Sequence, residues 1–330
     1  MLEKPLVSVI VLSYKHVKYI RQCLDSILAQ ETNFDFEILV GDDASHDGTE
    51  EILLEYQKKH PDRIKLFIKE QNEGAARNAY DLRKQCRGKY VANVESDDYW
   101  CDNRKLQKQV DYLEAHPECS ATGGNYYAMY DDGRIKCLSL MPYETNKTYC
   151  MKDFVKKYGF VIHTNTLLYR NIIPVDGEKY EKVRFCVPTM GDVFQRVLLY
   201  DKGQIYCFDE PMLCHRLTPN LTTSFQSQQK NNANKYTDMM FTLVEHMNEY
   251  FEGKYDFTPI VFRRMAALRV DHLQKKIKLN KRGWWEQLKR LPFRYRIKMP
   301  FKVVYLLSVK GKRFLYRKLH KKEMAYATTK

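Results

Sequence analysis

An α/β architecture is predicted by three features of this 330-residue chain. Short β-rich apolar runs alternate with amphipathic helical patterns over the first hundred residues. Polar and acidic residues follow the end of each run. The excess positive charge is confined to the last fifty residues. Together these give a Rossmann-like mixed sheet flanked by helices, followed by a mostly helical, basic C-terminal extension.

LVSVIVL (6–12) is followed by VKYIRQCLDSILAQ, where Ile20, Cys23, Leu24, Ile27 and Leu28 recur at helical spacing. FEILV (36–40) leads to TEEILLEYQKKH (49–60), and IKLFI (64–68) to GAARNAYDLRKQC (74–86). KYVANV (89–94) follows directly. Apolar runs roughly every 25–30 residues, with helices between them, predict parallel strands joined by right-handed crossovers. Beyond residue 120 the pattern loosens. GGNYYAMYDDGRIKC reads as a strand, a turn at Asp132-Gly133 and a return strand. FVIHTNTLLYR (160–170) reads as a strand, PTMGDVFQRVLLYDKG (188–203) as a loop entering a helix, and QIYCFDEPMLCHR (204–216) as a returning strand. Residues 231–280 read as helical, with a break at MNEYFEGKYDFTP.

The composition is that of an ordinary folded protein, 44% hydrophobic and 29% charged. The seven-residue run Leu6–Leu12 reads as a buried strand and not a signal peptide, and no stretch reaches the roughly 20 apolar residues of a membrane-spanning helix. Nine cysteines stand singly with no C-x-x-C pair, which argues against zinc and fits a reducing, cytoplasmic compartment. The net charge of +14 resides in residues 281–330, where 16 Lys and Arg face two acids; the other 280 residues carry 39 of each sign. A local anionic partner follows from that asymmetry.

In a parallel sheet, ligands bind beyond the carboxyl ends of the strands. The residues there are Ser13-Tyr14, Asp42-Asp43, Asn72-Glu73-Gly74 and Glu95-Ser96-Asp97-Asp98. Asp and Asn are also common in turns and caps, so each pair alone could be structural; four polar exits on one edge favour a site. Glu95, Asp97 and Asp98 repel one another unless a hard divalent cation, Mn²⁺ or Mg²⁺, sits among them. Such an ion would hold a diphosphate and neutralise its charge as it leaves. Asp42 and Asp43 better suit a nucleoside.

These residues resemble glycosyltransferase family 2, whose members have the glycosyltransferase-A fold. VSVIVLSYKHVKYIRQCLDSILAQ, ILVGDDASHDGT, NEGAARNAY and ESDDYW occur in the family's order over residues 5–100, and the resemblance continues more weakly to about residue 216. It implies an enzyme moving a hexosyl or N-acetylhexosaminyl unit from a nucleotide sugar, UDP-linked by expectation, to an acceptor hydroxyl with inversion. The resemblance places Ser13, Tyr14, Asp42, Asp43, Asn72, Arg77, Glu95, Ser96, Asp97 and Arg216 around the nucleotide sugar. Asp97 would be the main metal ligand, with Glu95 or Asp98 assisting; Glu95 stands where the family usually has aspartate. Asp192, in MGDVFQRVLL, takes the position of the catalytic base, although a carboxylate there could instead cap its helix. His163, Thr164 and His215 are candidates for the acceptor side, with core packing as the alternative. The Q-x-x-R-W pattern of processive members is absent, which predicts one sugar added per encounter.

The expected domains are a catalytic domain over 1–220, with nucleotide-sugar binding in 1–100 and the acceptor side in 101–220, and a helical basic-aromatic region over 221–330. In that region Trp284, Trp285, Phe293, Tyr295, Phe301, Tyr305, Phe314 and Tyr316 interleave with cations. Residues 281–322 are expected to contact an anionic membrane surface, in preference to RNA or to simple packing as a helical hairpin. The acceptor would then be a glycan or lipid-linked glycan used in surface polysaccharide synthesis on the inner face of the cytoplasmic membrane. Two rivals stand beside this reading: a metal-dependent nucleotidyltransferase, which would want glycines in SYKHVKY, and a non-catalytic nucleotide-sugar or membrane-binding module. A dinucleotide oxidoreductase is excluded because no G-x-G-x-x-G follows the first strand.

Overall fold

The computed structural model describes residues 4–130, 132–138, 144–157, 162–187, 189–217, 232–274 and 279–308. The chain divides into two compact units, Met1–Pro219 and Asn220–Lys330.

In the first unit the four apolar runs form β1 (Val7–Ser13), β2 (Phe36–Asp42), β3 (Ile64–Ile68) and β4 (Tyr90–Glu95). They are joined by α1 (Ile20–Leu28), α2 (Thr49–Lys59) and α3 (Ala75–Gln85). β1 pairs in parallel with both β2 and β4, and β2 with β3. β1 and β2 are buried on both faces, which is why they read as continuous Val/Ile/Leu runs with little alternation. Val7, Val9 and Val11 of β1 and Ile38 and Val40 of β2 pack with Ile20, Leu24 and Ile27 of α1.

The sheet does not stop at β4. Its order is β3-β2-β1-β4-β9-β6-β10-β5, with β7 on β6 and β8 on β10. Here β5 is Tyr99–Trp100, β6 Cys119–Tyr130, β7 Ile135–Leu138, β8 Lys147–Tyr149, β9 Leu168–Arg170 and β10 Gln204–Leu217. β9 lies antiparallel between β4 and β6, and β10 runs parallel to β6. Residue 100 is therefore no break in the architecture, because one sheet spans both halves. Helices α4 (Lys105–Ala115), α5 (Met151–Lys157), α6 (Glu178–Phe185) and α7 (Gly191–Lys202) complete the unit.

The continuous strand expected over 160–170 is shorter. Only Leu168–Arg170 is extended, preceded by a 3₁₀ turn at Thr164–Thr166, while 158–161 lie outside the described residues. The turn closes because the Thr166 hydroxyl donates to the His163 carbonyl at 2.8 Å and the Asn165 N–H donates to His163 Nδ1 at 3.3 Å.

The second unit holds α8 (Ala233–Tyr250), α9 (Thr258–Leu273), α10 (Lys281–Arg290), α11 (Phe293–Arg296) and a helical stretch at 299–308. The expected break between α8 and α9 contains Glu252 and Gly253, both at positive φ. Trp284 anchors α10 by donating from its indole N–H to the Met265 carbonyl at 3.3 Å. Among the described residues, no helix is long and apolar enough to cross a membrane.

Candidate active site

Strand register brings the predicted site residues to one edge. Ser13 at the end of β1 lies opposite Asp42 of β2, and Leu12 lies opposite Glu95 of β4. Ser13 is buried, and its carbonyl accepts the Asp43 N–H at 3.0 Å. Tyr14 stays exposed, with the Lys15 ammonium 5.2 Å from its ring centre. The loop that follows is fastened to its neighbours: Lys15 N–H donates to Ser45 Oγ at 2.9 Å, and His16 Nδ1 shares a 2.7 Å hydrogen bond with Ser96 Oγ.

Asp42 and Asp43, expected at the nucleoside, are both held by protein donors. The Asp42 carboxylate is fully enclosed and accepts both the Ser45 N–H (2.9 Å) and hydroxyl (2.5 Å), closing its own turn. Asp43 accepts the N–H groups of Glu73 (3.0 Å) and Gly74 (2.8 Å), while Asn72 Nδ2 donates to its carbonyl at 3.3 Å. These acids clamp the β2 exit to the start of α3. Arg77, one turn along α3, pairs with Asp81 at 3.3 Å and lies over the rings of Tyr80 and Phe185.

The acidic triplet after β4 divides into two kinds of carboxylate. Ligand atoms of Glu95, Asp97 and Asp98 all lie within 4.8 Å of one another. Asp98 is buried and accepts Asn165 Nδ2 at 2.6 Å, the Arg216 N–H at 2.9 Å and His215 Nδ1 at 3.1 Å. Burial opposes its charge, but these donors, His215 foremost, hold its carboxyl below the ordinary range. Its oxygens nonetheless belong to the same cluster as those of Glu95 and Asp97, and also lie close to His163 and His215.

Glu95 and Asp97 are the reverse case. Glu95 keeps one flank open to solvent, yet the protein around its carboxyl and the charges of Asp97 and Asp98 push it up to about 8. Desolvation and Asp98 likewise raise Asp97. Two carboxylates held together against their charge fit a divalent cation.

The second half of the sheet supplies the facing wall. His163 and His215 stack with ring centres 4.6 Å apart, and Tyr126 lies 4.8 Å from His163. Burial and the neighbouring His215 push His163 down to about 3, so it is a neutral imidazole. Thr164 Oγ1 bonds Arg196 Nη2, and Arg196 holds Asp192 Oδ2 at 3.2 Å. Asp192 sits inside the first turn of α7, two residues past the N-cap Met190. Its half-exposed carboxylate bears electrostatically on Glu95. Arg216 lies between the rings of Tyr19 (4.8 Å) and Tyr99 (5.2 Å) and bonds Gln22.

The sequence reading did not single out His16, Ser45, Asn165 or Arg196. Arg196 alone had a local signal, standing four residues after Asp192 on a predicted helix.

Residues 8–174 match the family model described as Glycosyl transferase family 2, slightly more than half of the chain. The chain belongs to that family. Relatives include an uncharacterized protein of Mycobacterium tuberculosis, 35% identical over 190 residues that make up 54% of each chain. Another, from Bacillus subtilis, carries the name of a teichuronic acid biosynthesis glycosyltransferase, TuaG; it is 38% identical over 130 residues, 39% of this chain and 50% of its own. The match thus spans about half the length of these relatives. Among solved structures, S. aureus TarS 1-349 superposes with a TM-score of 0.63 at 18% identity, covering 91% of this chain and 88% of its own. Its complex with UDP-GlcNAc gives the same TM-score over 91% and 89%. The family's glycosyltransferase-A fold is therefore the fold of this chain.

Proposed function

We propose that the protein is an inverting, non-processive glycosyltransferase that moves a sugar from a nucleotide sugar to a glycan or lipid-linked glycan in surface polysaccharide synthesis. The observation that carries this reading is the contrast within the triplet after β4. Asp98 is neutralised by protein donors, while Glu95 and Asp97 are left repelling at a strand exit that faces Asp192.

Asp97 and Glu95 would hold Mn²⁺ or Mg²⁺, which when bound offsets negative charge on the leaving diphosphate. The remaining steps belong to the chain. The loops after β1 and β2, locked by Ser45, Asp42 and Asp43, shape the nucleoside end of the cleft. Arg196 fixes the Asp192 carboxylate in one orientation. Asp192 then takes the acceptor hydroxyl proton as that oxygen bonds the anomeric carbon, and the bond from that carbon to the diphosphate oxygen breaks on the opposite face. Support for a UDP donor comes from TarS, solved with UDP-GlcNAc, and support for a surface-glycan acceptor from the name of TuaG.

The test is calorimetric titration of UDP with Mn²⁺ and then with EDTA, followed by donor hydrolysis. Metal-dependent binding that Asp97→Ala abolishes, with Asp192→Asn retaining binding but losing transfer by on the order of 10²–10⁴-fold, supports the assignment. Silence with UDP, GDP and dTDP in both conditions would overturn it. Binding without any turnover, unchanged by Asp192→Asn, would instead favour a non-catalytic nucleotide-sugar module.

A further inference from the structure

We propose that the helices over residues 281–308 lie flat on an anionic bilayer, inserting one apolar stripe between basic flanks. This deepens the reading of a membrane-linked acceptor and rests on it for its purpose, although the evidence for it is independent of the catalytic cleft.

The stripe runs along α11 and the helical stretch that follows. Phe293, Ile297, Phe301, Val304 and Tyr305 are spaced by four, four, three and one, one face of a helical path. They are exposed by 69%, 53%, 78%, 66% and 57%, and Trp285 on α10 adds 55%. Large rings left this open cost hydration free energy in water. The opposite face is already used, since Leu291 and Met299 are buried and Tyr295 stacks on Phe262 with ring centres 5.2 Å apart. The open side is thus a second apolar face and not a frayed core.

Charge selects the occupant. Residues 279–308 contain eight cations, Lys281, Arg282, Lys289, Arg290, Arg294, Arg296, Lys298 and Lys302, against the single acid Glu286. Arg290 and Arg294 are held by carboxylates of α8 and of the α8–α9 connection. Lys281, Arg282, Arg296, Lys298 and Lys302 have no carboxylate partner among the described residues. Arg296 lies over Phe293 and Lys302 over Tyr305, so cation and ring reach the same surface together. A protein groove that buried this face would need matching acids; anionic headgroups over an acyl boundary supply negative charge and apolar depth at once. A polyanion such as RNA would satisfy the cations but leave the aliphatic Ile297 and Val304 without a partner.

The experiment is co-sedimentation of the full chain with phosphatidylcholine vesicles, with and without about one-quarter phosphatidylglycerol, at low and high salt. Wild type is expected on the anionic vesicles only, released by high salt. Phe293→Ser with Phe301→Ser is expected to weaken the partition by on the order of 10–100-fold, and Arg296→Glu with Lys298→Glu by about tenfold or more. All these side chains are exposed, and UDP titration checks that each variant keeps its cleft. The proposal fails if neutral vesicles bind equally, if the ring variant binds as wild type, or if neither vesicle binds. It also fails if the rings prove to be covered by a second copy, seen as a ring-dependent dimer, or by residues 309–330, seen as vesicle binding that appears only on their removal. Competition by RNA that is insensitive to the ring substitutions would assign the surface to nucleic acid. Loss of UDP binding with vesicle binding intact would sink the catalytic reading and leave this one standing.

Discussion

Replacing Asp97 by Asn should make the metal-free protein more stable while removing its response to metal. Carboxylate oxygens of Glu95, Asp97 and Asp98 lie within 4.8 Å of one another. Above the pH of about 8 to which Glu95 is raised, where the EDTA melts are to be run, both groups are charged, and two unit charges at that distance repel by about 1 kcal/mol in water-like surroundings and about 3.5 kcal/mol at an effective dielectric of 20. The open flank of Glu95 puts the pair toward the lower end, about 1–2 kcal/mol. For a unit the size of Met1–Pro219, each kcal/mol is about 2–4 °C in melting temperature. Asp97→Asn should therefore melt about 2–8 °C above wild type in EDTA. Saturating Mn²⁺ should reverse the order: at about a hundred times the dissociation constant it stabilises wild type by about 2.7 kcal/mol, and the variant hardly at all. Differential scanning fluorimetry of both proteins, with EDTA and over a Mn²⁺ series, measures this directly. A variant that melts lower than wild type in EDTA, or that keeps the Mn²⁺-induced shift, would refute the argument that these acids are held in repulsion for a cation.

Asp98→Asn should behave oppositely. It places an amide N–H against the donors of Asn165, His215 and Arg216, so the urea midpoint should fall by the equivalent of about 3–5 kcal/mol; a loss under about 1 kcal/mol would contradict a structural dependence on these bonds. Glu37 is a second buried carboxylate, bonded by Ser8, Lys65 and Arg87, and it is held below the ordinary range: burial opposes its charge, but the Arg87 and Ser8 hydrogen bonds outweigh it. Its contribution is complete above its unfolded pKa of about 4.5 and is lost as pH falls through the lower folded value. Glu37→Gln should thus cost about 2–4 kcal/mol at pH 7 and show a flatter acid limb than wild type in stability against pH; parallel limbs would count against this. At Gly191 an added Cβ would stand 1.6 Å from Arg184 Nη1, and Arg184 is buried with Nη2 donating to the Ala76 carbonyl at 2.9 Å. Gly191→Ala should cost about 1–3 kcal/mol and lower transfer more than UDP binding, because α7 carries Asp192; unchanged thermal stability would show that Arg184 moves aside freely.

The parallel half of the sheet was legible because strands buried on both faces must be apolar throughout, and LVSVIVL and FEILV have that character. The turn at His163 was not, because HTNT has strand-like composition and only the side-chain bonds of Thr166 and Asn165 bend it. The acidic cluster could be located from sequence, but the division of labour inside it could not. Nothing in ESDDYW distinguishes Asp98 from Asp97; the distinction comes from Asn165 and His215, which lie 67 and 117 residues away. Asp42 and Asp43 show the same limit, since enclosure by Ser45 and by the Glu73-Gly74 backbone is a product of folding. Composition did find the basic tail, but which of its rings face outward required the helix path.

The bonding of Asp98 also sets a rule for recombining this chain with its relatives. Its partners are the side chains of Asn165, just before β9, and of His215 on β10, together with the backbone N–H of residue 216. A crossover placed anywhere from residue 99 to residue 164 transplants the carboxylate without either side-chain partner, and one placed between 165 and 215 leaves it short of His215. Chimeras meant to exchange donor specificity by swapping the first hundred residues will therefore inherit a poorly compensated buried charge unless the recipient supplies groups equivalent to the Asn165 and His215 side chains. The smallest segment that carries both side-chain partners ends after His215.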